Sequence, residues 1–187
     1  MKLALLTPIL ILSAGPAPAA PHARTARMFG EQVALAEWRK APNRAACAPL
    51  ALASNGGVAA KVRSANFGGG WGVAFDTPGM RSAYGFAGSG LLPEDGASQA
   101  DKRTELARQW PYTRELGRPG GLPEGSLAGY GLEGAGRYSD ANPSGSGEQS
   151  IAYVRISGQK CLYDVWSRVS RDHLETLLDS LRIVGRR

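Results

Sequence analysis

Histidine is nearly absent from this chain: His22 and His173 are the two among 187 residues. A zinc site needs three or four ligands at suitable spacing, and no such cluster of His, Cys, Asp and Glu occurs, so neither a metal nor another cofactor is expected. Cysteine is equally scarce. Cys47 and Cys161 stand far apart, which excludes a Cys-x-x-Cys redox pair. Basic residues form no run of five or more despite a net charge of +6. The compact stripe of a nucleic-acid-binding surface is therefore missing, and no nucleic-acid partner is expected. The nucleophile elbow Gly-x-Ser-x-Gly is missing too, because Ser89 in Ala87-Gly-Ser-Gly90 lacks the first glycine. Gly129-Tyr-Gly131-Leu-Glu-Gly134 matches a dinucleotide fingerprint in letters alone. Gly136, Asp140 and Pro143 follow it where a helix would have to carry the pyrophosphate.

What is present begins with a leader. Met1-Lys2 precedes an apolar run from Leu3 to Leu12, and Ala17-Pro18-Ala19 places small residues for cleavage after Ala19. The run is too short to cross a bilayer of about 30 Å as a helix. Residues 1–19 are thus expected to be a signal peptide and residues 20–187 a single α+β domain. That domain would be periplasmic or secreted, without a membrane span, and monomeric. Two cysteines in an exported chain predict a Cys47–Cys161 disulfide, and two buried free thiols are the alternative.

The segment from Ile151 to Val184 has the clearest periodicity. Ile151 to Ile156 and Cys161 to Trp166 flank Ser157-Gly158-Gln159-Lys160, the pattern of a tight hairpin. A two-residue loop sets Val154 opposite Tyr163 and Ala152 opposite Val165 on an apolar face. Tyr153 then faces Asp164 and Ile151 faces Trp166 on a mixed one, with Arg155 diagonal to Asp164. Leu174, Leu177, Leu178 and Leu181 recur at helical spacing, with Asp172 as expected cap. The expected architecture is α+β: one mainly antiparallel sheet of about six strands, with an N-terminal helix from Glu31, a middle helix from Gln99 and a C-terminal helix packed on it. Ser98 with Asp101 resembles a capping box for the middle helix.

Between these elements, Trp71 to Asp76 and Arg81 to Phe86 read as a second hairpin around Thr77-Pro78-Gly79-Met80. A two- or four-residue loop pairs Asp76 with Arg81, Trp71 with Phe86 and Val73 with Tyr84. One face is then bulky and aromatic. The other holds Gly72, Ala74, Ala83, Gly85 and Ala87 and is nearly bare. A bare face admits close approach, either by packed structure or by an extended ligand. A three-residue loop would dissolve the pattern. Trp71, Asp76, Arg81 and Tyr84 are the candidate ligand-binding residues. The Gly/Ser-rich stretch from Ser139 to Ser150 is expected to be a mobile loop.

The stretches Gly69-Gly-Trp71-Gly-Val-Ala-Phe-Asp76, Arg81 to Gly88, Cys161 to Ser167 and His173-Leu-Glu175 resemble small exported proteins of Gram-negative bacteria. That resemblance implies export, and no activity is assigned to the group for it to carry over. A final strand followed by a helix ending in Leu-Asp-Ser-Leu-Arg is also similar to the Mog1/PsbP-like α/β sandwich. The functional expectation is a non-enzymatic binding or accessory protein of the bacterial envelope, with an envelope ligand or protein as partner. An envelope hydrolase using His173 or Asp164 is the rival, and a purely structural factor is a third reading.

Overall fold

The computed structural model describes residues 28–67, 69–92 and 98–185. The expected signal peptide, His22, residues 93–97 and the last two arginines lie outside them. Helix α1 spans Glu31–Lys40, α2 Gln99–Gln109 and α3 Arg171–Ser180. Nine strands accompany them among the described residues: β1 Leu50–Leu52, β2 Lys61–Ala65, β3 Trp71–Thr77, β4 Met80–Leu91, β5 Tyr112–Glu115, β6 Leu127–Leu132, β7 Ser150–Arg155, β8 Cys161–Ser167 and β9 Leu181–Ile183.

Seven of these strands form one antiparallel sheet in the order β2-β3-β4-β8-β7-β6-β5. The expectation of about six strands is corrected to seven, plus a separate ribbon of β1 and β9. Strand β5 alternates one aromatic and two charged residues over only four positions, too short a period to read. Strand β9 continues directly from α3, so its residues blend into the leucine stripe. Strand β1 pairs with β9 in the ribbon rather than joining the main sheet.

One sheet face carries the main core. Trp71, Val73, Tyr84, Phe86, Tyr163 and Val165 all lie on it and are at most 1 % exposed. Phe75 stacks on Tyr84 with centroids 4.6 Å apart. Leu174, Leu177, Leu178 and Leu181 of the α3 stripe are equally buried, each contributing about 1.5–3 kcal/mol of burial free energy. Helix α3 is capped by Ser170, whose Oγ accepts from the His173 N–H at 3.1 Å, not by Asp172. The serine starts the helix two residues earlier and turns His173 inward. Arg114 of β5 clamps α3 from the sheet edge through Glu175 and Asp179.

Helix α2 packs on the opposite face, with Leu106 and Trp110 against Leu127 and Ile151. It has the expected Ser98–Asp101 capping box. Gly129 makes room for Trp110, because a Cβ there would come within 2.5 Å of the indole. Helix α2 contacts β5 and β6, leaving the β3-β4-β8 part of this face to other groups.

Cys47 and Cys161 sit at disulfide distance, 2.07 Å between sulfurs, and both are fully buried. The bond ties the segment between α1 and β1 to the start of β8. Such a bond is compatible with an exported protein. No helix among the described residues is long and apolar enough to cross a membrane. The loop from Ser139 to Ser150 is drawn together by Asn142, which bonds to Ser139, Ser144, Ser146 and Glu148.

Candidate functional site

The site grows from the second hairpin. At the turn, Thr77 pairs with Met80 as expected for a two-residue loop, but from Phe75 onward the register moves by two: Phe75 faces Tyr84, Val73 faces Phe86 and Trp71 faces Gly88. The expected pairs Trp71–Phe86 and Val73–Tyr84 are corrected accordingly. A shift of two keeps the paired side chains on their own faces, so the aromatic face and the bare face both survive, although Ala83 at the bulge joins the main core.

The shift has a physical cause at Ser82. It occupies the left-handed region with φ 51°, where a non-glycine residue needs support from its surroundings. Three groups supply it. Asp76 Oδ1 accepts the Ser82 N–H at 2.7 Å, Arg63 Nη2 donates to Ser82 Oγ at 2.6 Å, and Trp166 Nε1 donates to Ser82 O at 3.2 Å. Asp76 is therefore paired with Arg63, at 2.9 Å, rather than with Arg81. The Arg63 hydrogen bond first, then the Ser82 amide, hold its carboxyl below the usual range despite some desolvation. Arg81 is released to line the groove beside it.

The bare face is partly filled and partly open. Trp166 of β8 lies on Gly85, where a Cβ would come within 2.3 Å of both the indole and the Val73 carbonyl. Phe67 covers Gly72 and meets Trp166 at 5.6 Å. The first expected reading holds in that the opposite strand packs on the glycines, and beside the packed rings lies an open groove of about 530 Å³. Arg63, Arg81 and Arg168 line its rim with Glu133 and Gln149, and Asp164 lies within it.

Asp164 is the unusual group here. Arg155, its expected diagonal partner, turns instead to Glu105 of α2 at 3.0 Å. Asp164 Oδ1 is buried without a hydrogen-bond partner among the described residues. Burial pushes its carboxyl up, with the Ser89 hydroxyl pulling the other way. Leaving such an atom unpaired costs about 1–3 kcal/mol.

Of the four candidate ligand residues, Trp71 and Tyr84 are packed in the core on the other face. Asp76 supports the bulge, and Arg81 alone of the four lines the groove together with Asp164. Trp166, Phe67 and Arg168 were not foreseen as site residues. The alternation Asp164, Trp166, Arg168 along one strand face was the available signal.

His173 has a different role. Its Nε2 lies 3.1 Å from Asn55 O, and its Nδ1 lies 2.9 Å from Ser167 Oγ. A carbonyl can only accept, so Nε2 carries the proton and the Ser167 hydroxyl donates to Nδ1. Ser167 Oγ also accepts the Val169 N–H at 3.1 Å. Ser167 is fully buried and His173 is 6 % exposed, so this serine–histidine pair is a satisfied core bond that faces away from the groove. Burial first, offset by the Asn55 bond, lowers the His173 pKa below its ordinary 6.5.

The unfolded chain therefore takes up a proton here more readily than the folded one, and stability falls as pH drops below 6.5. The slope is at most about 1.4 kcal/mol per pH unit. Asp164 works in the opposite sense, because its raised pKa favours the folded state when it is protonated. The urea midpoint of the Asp164→Asn variant should thus fall between pH 7 and pH 5. A flat profile would mean that His173 titrates freely.

A second concentration of polar groups lies at the β5-β6 edge. Arg171 lies over the Tyr112 ring at 4.3 Å, close to Tyr138 and Tyr130, and pairs with Glu175. Tyr130 donates to the same carboxylate at 2.7 Å. Arg171, Tyr130 and Glu175 satisfy one another and fasten α3 to the sheet, whereas the buried Tyr138 hydroxyl has no hydrogen-bond partner among the described residues.

No protein-family model matches the chain, and comparison with characterised proteins and with solved structures finds no similar one.

Proposed function

We propose that this is an exported, non-enzymatic binding or accessory protein of the bacterial envelope, and that its ligand seats in the groove over Trp166 and Phe67. The groove itself carries the reading. A cavity of about 530 Å³ is in the range of small-molecule sites, which combine an apolar floor with a few placed polar groups. Here Trp166 and Phe67 supply the floor, Arg81 and Arg168 the cations, and Asp164 an acceptor. The supported left-handed Ser82 adds to the reading, since local strain of this kind collects at functional sites. The disulfide agrees with an envelope location.

A thermal-shift screen against glycans, peptidoglycan fragments, peptides and small anions tests this. A binder should raise the melting temperature of the native protein and not of an Arg81→Ala/Arg168→Ala variant. Hits that stabilise both proteins equally would place binding elsewhere and defeat the groove reading.

One observation favours a second reading. Asp164 is a carboxyl with a raised pKa in a groove that also holds Glu133, which is the kind of pairing that glycoside hydrolysis uses. Product release from oligosaccharides, lost in Asp164→Asn, would support the hydrolase. His173 has no part in it.

A further inference from the structure

We infer that the groove takes a short peptide with both ends free, its ammonium on Asp164 and its carboxylate on Arg81 and Arg168. This rests on the groove being a ligand site.

The charges in the groove are separated by position. Asp164, Trp166 and Arg168 occupy alternate positions on one face from β8 onward, with Ala87 opposite Asp164 and Gly85 opposite Trp166 on β4. The Arg168 N–H bonds to the Ala83 carbonyl at 2.7 Å, which keeps it in line with the strands. Arg81 stands at the same end, two residues before Ala83. Arg63 is neutralised by Asp76, and Glu133 offsets one of the two remaining arginines on this rim. One end is therefore net positive by one charge and the inner end carries one carboxyl. A polyanion would meet Asp164 unfavourably, whereas a ligand of zero net charge with its charges apart matches both ends.

Length and donor chemistry narrow this further. Four residues of strand separate Asp164 from Arg168, about 13 Å at the usual rise. Three extended peptide residues span about 10 Å, which leaves room for the guanidinium and carboxyl side chains to reach in. Asp164 lines the groove, and its carboxylate is short of donors, since its buried Oδ1 has no hydrogen-bond partner among the described residues. An ammonium supplies both a donor and the charge that offsets a desolvated carboxylate. Trp166 lies between the two ends with Phe67 against it, and these rings suit the apolar flank of a middle residue.

The test is an NMR titration of the full mature protein with triglycine, trialanine and trileucine, each free, N-acetylated or C-amidated. Glucuronate and inorganic phosphate serve as comparison probes. At least one free tripeptide should shift the Trp166 indole N–H and the Arg168 amide, and blocking either end should weaken it at least tenfold. In Asp164→Asn the free and N-acetylated peptides should bind alike, and in Arg81→Ala/Arg168→Ala the free and C-amidated peptides should bind alike. Blocked peptides that bind as well as free ones would overturn the inference. Glucuronate or phosphate shifting these signals while no peptide does would overturn the peptide and keep the groove. Silence from every probe would remove both.

Discussion

Replacing both cysteines, Cys47→Ala with Cys161→Ala, should lower the melting temperature by about 4–20 °C. The two positions are 114 residues apart. Loop-closure entropy for so long a loop is about 4–5 kcal/mol, and removal of native disulfides costs about 2–5 kcal/mol in practice. For a chain of this size each kcal/mol corresponds to about 2–4 °C. The loss should be uneven. Helix α1 and strand β1 reach the sheet through Ala34, Leu50 and Leu52, all fully buried, and the disulfide anchors the segment between them. Amide exchange in α1 should therefore accelerate more than exchange in β7 and β8. A double variant that melts within about 2 °C of the parent would show that the apolar contacts of α1 suffice.

Gly85→Ala should cost about 3 kcal/mol or more. The new methyl would lie 2.3 Å from the Val73 carbonyl, a backbone atom in the neighbouring strand, and 2.3 Å from the Trp166 ring. Overpacking of a filled interior costs about 1–3 kcal/mol, and more where backbone must move. The indole can escape only by breaking its bond to the Ser82 carbonyl. Ser82 then loses one of the three groups that hold its conformation. The expected result is a lower urea midpoint together with a red-shifted, more exposed tryptophan emission. Unchanged emission with full stability would mean that the bare face is looser than the contacts imply. Gly90→Ala is the control, because a Cβ there meets only the Leu162 side chain at 3.8 Å.

The two hairpins show how far sequence reasoning reaches. The Ile151–Trp166 register was legible in full, because a short glycine-containing loop and clean alternation fix it. The Trp71–Phe86 register was not, because nothing in Arg81-Ser82-Ala83 announces a bulge. The bulge depends on Arg63 and Trp166, which belong to distant strands. The faces remained legible since the shift is even. The strand count was missed at β5 and β9, one too short and one fused to a helix.

The groove was half legible. Its glycine floor was visible in one hairpin, and the mixed face bearing Asp164 and Trp166 was visible in the other. That the two are the same surface follows from the pairing of β4 with β8, a long-range contact that no local pattern encodes. The aromatic candidates Trp71 and Tyr84 went to the core because alternation puts them on the face that α3 covers. Asp76 was drawn to Arg63 rather than Arg81 because β2 lies alongside β3.

The most direct measurement of the central claim is the NMR titration of Trp166 and Arg168 with small ligands, repeated in Arg81→Ala/Arg168→Ala. A groove that binds predicts saturable shifts at both signals in the native protein and their loss in the variant. Shifts confined to residues remote from β8, or identical in the two proteins, would contradict it.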